Sequence, residues 1–131
     1  MNPYDRSRVS DGTLVCRFLS DAGVERRSIA NVVADIAEID ERRLYLPAGY
    51  PSMYAYCLAV AHYSESAAYK GIHVGRAARR FPEIFPALAD GRLNLSGVLI
   101  LAPHLTPGNA AELLAAAAHK TNAAIEELLA V

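Results

Sequence analysis

The chain has 131 residues, and its 13 Lys and Arg residues almost balance its 14 Asp and Glu residues, for a net charge of −1 with neutral His. This length is typical of a single domain, and the near-zero charge excludes a protein that coats nucleic acid through bulk charge alone. Hydrophobic residues make up 53% of the chain, yet no apolar run approaches the ~20 residues that span a bilayer, so we expect no membrane partner.

The chain starts with polar residues, followed by a short predicted helix. Residues 1–10 lack the apolar segment of a secretory signal, so we expect a cytoplasmic protein. The first helix is predicted to begin near Asp11 and to end near Gly23, because glycine commonly follows the last turn of a helix. Its apolar stripe consists of Leu14, Val15, Phe18 and Leu19. A helix this short needs a packing partner to be stable.

A second helix is predicted at about 25–45, and it has the strongest amphipathic pattern in the chain. Its apolar side consists of Ile29, Val32, Val33, Ile36 and Ile39. On the other side Glu38 and Arg42 stand four residues apart, a spacing that favours an ion pair. The apolar residues follow 3-4 spacing over little more than one heptad, which suits packing within the chain or a homodimer contact through this helix.

Helical patterns continue to the end of the chain, and no segment shows the alternation of a β-strand. Six further helices are predicted at about 51–62, 65–80, 82–90, 95–102, 107–119 and 122–131. Ser64, Thr106 and Thr121 are the predicted N-caps of three of them, because a hydroxyl there accepts a hydrogen bond from a free backbone N–H. The sequence therefore predicts a single all-α domain over residues 1–131, a compact bundle of about eight helices.

The helix at 65–80 has two unlike sides. Successive helical residues rotate by roughly 100°, which places its polar and cationic side chains in one sector of roughly 120°. This front face consists of Ser66, Tyr69, Lys70, His73, Arg76, Ala77 and Arg80. On the back lie Ala68, Gly71, Gly75 and Ala78, where the glycines allow a neighbouring helix to approach closely. Arg79 points toward the packed side and must extend out from it.

This division is typical of the recognition helix in a helix-turn-helix, whose back packs on the preceding helix and whose front enters the major groove of DNA. Here the motif would span about 51–80, with a turn at 62–64. The predicted DNA-binding residues are Ser64, Ser66, Tyr69, Lys70, His73, Arg76 and Arg80. The central side chains would reach base edges, the arginines would pair with phosphates, and the serines would add donors at the helix N-terminus. A solvated basic face is the simpler interpretation of the same residues.

Four segments also carry a resemblance to known proteins: AEIDERRLYLPAGYPSMYAYC, SESAAYKGIHVGRAARRFP, LADGRLNLSGVLILAPHLT and HKTNAAIEELLA. From Ala37 to Val131 the chain resembles the helical region that lies N-terminal to the nuclease domain in many bacterial HNH endonucleases. More loosely, residues 64–101 are similar to the central helix-turn-helix of ParB-type DNA-partition proteins. Both resemblances imply a bacterial protein that contacts double-stranded DNA through residues 64–80. The chain departs from the endonuclease pattern at Gly71 and Gly75, where Arg and Ala are common.

The nuclease site of HNH proteins has no counterpart in the sequence. That site needs clustered His residues that bind a metal and activate water, whereas the four His residues of this chain are scattered: His62, His73, His104 and His119. Cys16 and Cys57 form no Cys-x-x-Cys pair, and both are expected as reduced core residues. We therefore predict no catalytic residue, no metal and no cofactor, although a longer parent protein would carry the nuclease.

Two functions follow from these observations. The first is a DNA-binding domain, either the targeting region of an HNH-endonuclease-like protein or a stand-alone regulator. The second is a helical protein-interaction or dimerisation module without DNA binding, which the near-neutral net charge and the small number of Lys residues favour.

Overall fold

The apolar periodicity of the sequence produces helices from Asp11 onward. The computed structural model describes residues 1–130, and over that range it consists of seven α-helices, one 3₁₀ turn at Ala102–His104 and no strand. The helices are α1 (Asp11–Arg42), α2 (Met53–Ala59), α3 (Glu65–Arg80), α4 (Ile84–Ala89), α5 (Leu95–Leu101), α6 (Ala110–Ala117) and α7 (Asn122–Leu129). The all-α prediction is confirmed. Val131 lies outside the described residues. It is the last residue of the predicted domain, of the predicted final helix and of the region that resembles HNH-associated proteins.

The predicted helix count was one too high, because the first two predicted helices are a single helix of 32 residues. Gly23 does not end the first helix: it is buried inside α1 and continues it. A glycine in a helix costs about 1 kcal/mol relative to Ala, but a break would leave several backbone groups without partners at two new helix ends. The continuous helix therefore has the lower free energy.

The second half of α1 ends earlier than predicted, at Arg42. Arg43 adopts the left-handed conformation, with φ at 53°. The N–H groups of Arg43 and Leu44 donate back to the carbonyls of Asp40 and Ile39, at 3.2 and 3.1 Å. This is the Schellman arrangement, which satisfies the last carbonyls of a helix. The chain therefore leaves the axis of α1 before position 45.

Two predicted N-caps are confirmed and one is displaced. Ser64 and Thr121 accept hydrogen bonds from Ala67 N and Ala124 N, both at 3.1 Å, and so begin α3 and α7. The helix predicted from 107 begins only at Ala110 and ends at Ala117. Thr106 and Asn109 instead bond to each other reciprocally, since Asn109 N donates to the Thr106 hydroxyl at 3.2 Å and Thr106 N donates to Asn109 Oδ1 at 2.7 Å. This closed turn precedes α6.

α3 lies between two groups of buried side chains. One side of it contributes Ala68 and Ile72 to a small core shared with α1 and α2. The other contributes Val74, Ala77 and Ala78 to the main core, which includes residues of α1 and of α4 to α7. The described residues include no buried charged or polar side chain. α3 is thus held from both sides, and its remaining surface faces solvent.

α1 is covered along only part of its length. Its buried residues begin at Gly23 and continue with Ala30, Val33, Ile36 and Ala37. Every residue from Asp11 to Asp21 is exposed, and we call residues 11–22 the N-terminal arm. Cys16 lies on this arm, so the prediction that both cysteines are core residues was wrong for Cys16 and confirmed for the buried Cys57. Among residues 1–130, no helix has the length and apolar character needed to cross a membrane.

Candidate nucleic-acid interface

The glycines of α3 allow close contact with α1. A Cβ added at Gly71 would lie 3.0 Å from Ile36 Cδ1, and one at Gly75 would lie 3.4 Å from the carbonyl oxygen of Val33. The prediction that the glycines face a packed neighbour is therefore confirmed. The neighbour is α1, whereas the helix-turn-helix pattern had assigned this place to the preceding helix. Packing against α1 offsets the low helix propensity of these residues.

The preceding helix, α2, packs beside the first half of α3. Met53 and Cys57 share the small core with Ala68 and Ile72. α2 is shorter than the predicted 51–62, because Ser52 caps its start and it ends at Ala59. The connection to α3 therefore runs from Val60 to Ser64 instead of 62–64. Within it His62 has a φ of 58°, the left-handed conformation that reverses the chain.

The front face of α3 is exposed except at two positions. Ser66, Tyr69, His73, Arg76 and Arg80 are exposed, and Lys70 is half-buried. Ala77, which the helical rotation placed on the front, is buried in the main core. That core includes residues of α4, so the packed side of α3 is wider than predicted.

Two front-face side chains contact each other. The rings of Tyr69 and His73 lie one helical turn apart with centroids 4.2 Å from each other, tilted by 47°. Tyr69 is 55% exposed, so one side of this aromatic pair is open to solvent. Flat, exposed rings of this kind can stack on bases or on a sugar, and both side chains carry hydrogen-bonding atoms.

Arg76 is engaged by α1. Its Nε and Nη2 donate to the two carboxylate oxygens of Asp40, at 2.9 and 3.2 Å. This bidentate geometry is the favoured one for Arg and a carboxylate, and the hydrogen bond to Asp40 raises the pKa of Arg76. The Asp40 side chain is only 16% exposed. The predicted phosphate contact at Arg76 therefore has a carboxylate partner within the chain.

Arg79 is also engaged by α1, but through two carboxylates instead of one. It reaches Glu38 Oε1 at 3.2 Å and Glu41 Oε2 at 3.4 Å. The predicted pair of Glu38 with Arg42 is confirmed, at 2.8 Å. The hydrogen bond from Arg42 and, to a smaller extent, the one from Arg79 lower the pKa of Glu38 below its ordinary value. Arg79 extends out of the packed side as predicted, but toward carboxylates rather than into open solvent.

Two cations of α3 have no carboxylate within 4 Å among residues 1–130: Lys70 and Arg80. The guanidinium carbon of Arg80 lies 5.1 Å from the centroid of the Phe81 ring, a cation–π distance that leaves its N–H donors free. The positive charge of α3 is thus divided into a neutralised part, at Arg76 and Arg79, and an unneutralised part, at Lys70 and Arg80.

Sequence reasoning did not identify the three carboxylates that face α3: Glu38, Asp40 and Glu41. These carboxylates meet the arginines of α3 only because α1 and α3 lie side by side with their C-terminal ends together. Nothing local to either helix states this.

Two observations outside the front face of α3 bear on a chemical site within residues 1–130. Over residues 1–130 there is no group of three or more His, Cys, Asp or Glu residues placed to hold a metal ion. An apolar groove of about 270 Å³ lies between α1 and the start of α3. Its walls include Ile29, Val32, Ala67 and Leu95, with few of the convergent polar groups that orient a small ligand.

Comparison of the chain with protein-family models, with curated proteins and with solved structures finds no match. The resemblances to the HNH-associated region and to ParB-type proteins stay predictions.

Proposed function

We propose that this chain is a DNA-binding domain in which α2 and α3 act as a helix-turn-helix and α3 enters the major groove. One observation carries the proposal: the exposed front of α3 bears no acidic side chain from Ser66 to Arg80, while the back of the helix is packed. A major groove about 12 Å wide admits a helix with its side chains. α3 has 16 residues, or about 24 Å of helix, enough to follow the groove over several base pairs.

The front-face residues then divide by role. Lys70 and Arg80 supply phosphate contacts, because their charges have no carboxylate partner in the described chain. The Tyr69 hydroxyl and the His73 ring nitrogens supply hydrogen bonds at base edges or sugars. Ser64 and Ser66 lie at the N-terminus of α3, where backbone N–H groups and the helix dipole favour a phosphate.

Arg76 contributes only after it leaves Asp40. Exposed ion pairs contribute about 0–1 kcal/mol, so a DNA phosphate competes with the Asp40 carboxylate at modest cost. The carboxylates of α1 nevertheless repel the DNA backbone. We expect weak binding without strong sequence preference, in the micromolar range and strongly dependent on salt.

We infer that the biological context is the cytoplasm of a bacterial cell, as the targeting region of an HNH-endonuclease-like protein or as a stand-alone regulator. The resemblance of residues 37–131 supports this context. The exposed arm of α1 favours a second candidate, a protein-association module, and this role is compatible with DNA binding.

The test is a fluorescence-anisotropy titration of the full chain against a random-sequence duplex at about 50 and 200 mM salt. Lys70→Ala combined with Arg80→Ala should weaken binding and reduce the salt slope by about two, one for each lost phosphate contact. The matched control, Arg8→Ala with Lys120→Ala, removes the same charges from exposed positions outside α3 and should leave the slope nearly unchanged. Equal losses in both folded variants, or no binding at low salt, would overturn the proposal.

A further inference from the structure

The N-terminal arm of α1 is a helix with an apolar stripe and nothing packed on it. Phe18 is 66% exposed, Leu19 61% and Val15 56%. An isolated helix of about twelve residues is marginal in water, so contacts on this stripe would decide whether the arm stays folded. The described residues of the chain supply none.

The charges beside the stripe are arranged so that the arm is complementary to itself. Arg17 and Asp21 are exposed, and neither has an ion-pair partner within 4 Å among residues 1–130. If two arms run antiparallel about a two-fold axis at Leu19, residues whose numbers add to 38 lie opposite each other. Arg17 then faces the partner's Asp21. This contact occurs twice because the arrangement is two-fold.

The same register also aligns the apolar side chains. Leu19 meets the partner's Leu19 at the axis, and the two copies of Phe18 lie within about 3 Å of each other along the helices. At roughly 100° per residue, Arg17 and Asp21 fall on one flank of the stripe. In an antiparallel pair each flank of one helix meets the same flank of its partner, so opposite charges face each other. A parallel pair would instead bring each flank against the opposite flank of its partner, so Arg17 would not meet the partner's Asp21.

We propose that the arm is a homodimerisation surface, on which a second copy of this chain packs its own arm antiparallel, with the axis at Leu19. The net charge of −1 opposes self-association very little. The dimer contact lies on the N-terminal arm rather than at the predicted 25–45, where Val33 and Ile36 are already buried against the rest of the chain. The arm is separate from α3, so this inference stands or falls independently of DNA binding.

The first test is the molar mass of the full chain in solution, by sedimentation equilibrium over a range of concentrations. We expect a reversible monomer–dimer equilibrium. Phe18→Ser with Leu19→Ser should raise the dimer dissociation constant by roughly a hundredfold or more, because two apolar side chains are lost from each copy. Leu46→Ser with Val60→Ser, a control at exposed apolar positions outside the arm, should leave it unchanged. A wild-type chain that stays monomeric, or that forms open-ended assemblies, would overturn the proposal.

Charge reversal tests the pairing. Arg17→Asp makes the flank wholly acidic and Asp21→Arg makes it wholly basic, so each single variant should dimerise more weakly than the wild type. An equimolar mixture of the two should form a heterodimer, and the double variant should recover homodimerisation. If neither the mixture nor the double variant restores association, these flanks do not meet.

Crosslinking tests the direction. In a Cys16→Ser background, Leu19→Cys should form an intermolecular disulfide under mild oxidation, because residue 19 lies at the axis. Val15→Cys has a similarly exposed position, but in the antiparallel pair the two copies of residue 15 are about 12 Å apart along the helices, so it should not crosslink. Crosslinking at both positions would indicate a parallel pair and contradict the proposed arrangement.

Discussion

The two ends of α1 have similar apolar patterns but different surroundings. Val15 and Phe18 belong to the apolar stripe of the arm, and Val33 and Ile36 belong to the apolar side of the covered part. Yet Val33 is 2% exposed and Phe18 is 66% exposed. The difference arises because α3 and α4 pack on α1, whose buried residues begin only at Gly23. Amphipathic periodicity therefore identifies the side of a helix that needs a partner, but it does not say which molecule supplies that partner.

The same two regions differ in their electrostatic role. The covered part of α1 directs Glu38, Asp40 and Glu41 toward arginines of α3, so its charges act within the chain. The charges of the arm have no such partner among the described residues. If both assignments are correct, perturbing the covered part should change the stability and DNA affinity of a single chain, whereas perturbing the arm should change only association.

The largest expected effect is on stability, at Ile36. Ile36→Ala removes a buried side chain at the contact of α1 with α3, and it should lower the free energy of unfolding by about 3 kcal/mol. Phe18→Ser should change it by less than about 0.5 kcal/mol at concentrations where the chain is monomeric, because an exposed side chain contributes little. Urea unfolding of both variants measures these free energies of unfolding. Comparable losses of stability would mean that other residues of the same chain also cover the arm.

The next effect depends on the glycines. Gly75→Leu should destabilise the chain by about 2 kcal/mol, since the new side chain meets the backbone of α1, which cannot move aside without cost. Gly12→Leu, the matched substitution in the arm, has no atom within 4 Å of the added Cβ. It should be neutral or slightly stabilising, through helix propensity alone. Thermal unfolding compares the two, and a tolerated Gly75→Leu would argue against close packing of α1 and α3.

A smaller effect concerns DNA affinity. Asp40→Asn releases Arg76 and removes a negative charge beside α3, so it should tighten binding to a random duplex by up to about fivefold, the equivalent of about 1 kcal/mol. Asp35→Asn makes the same charge change at an exposed position of α1 that has no ion pair, and it should have less effect. Anisotropy titrations of both provide the comparison. An unchanged or weaker affinity for Asp40→Asn would indicate that Arg76 takes no part in binding.

The smallest effect is a pH dependence. Hydrogen bonds from Arg42 and Arg79 hold the pKa of Glu38 below its ordinary value of 4.5. A carboxylate whose pKa is lowered by folding stabilises the folded state at pH values above the unfolded pKa, and this contribution disappears as the pH falls through the folded pKa. The difference in melting temperature between wild type and Glu38→Gln should therefore be present near pH 6 and shrink toward about pH 3. A difference that grew at low pH would contradict the assignment.

Much of the local structure was predictable. Ser64 and Thr121 begin their helices as N-caps because the hydrogen bond from the third residue onward is a local interaction. The exposed and packed sides of α3 followed from helical rotation, apart from Ala77. The errors occurred where a local signal competed with a longer-range one. Gly23 was interpreted as a helix end, but the hydrogen bonds of α1 continue through it.

The candidate interface was predicted less completely. The residues of the front face were identified, but their available charge was not, because the carboxylate that engages Arg76 lies 36 residues earlier in the chain. Charge counted along one helix overestimates the field at its surface whenever a neighbouring helix carries opposite charges. Only a packed arrangement reveals which cations are neutralised.

The sequence by itself determined that this chain is helical, where most of its helices begin, and which side of α3 is packed. These properties depend on interactions between residues a few positions apart. Tertiary structure decided that α1 rather than α2 faces the glycines of α3, that Arg76 and Arg79 meet carboxylates, and that the arm of α1 has no neighbour within the described chain. Those properties depend on which helices come together, and contacts between residues distant along the chain leave no periodic signal in either segment.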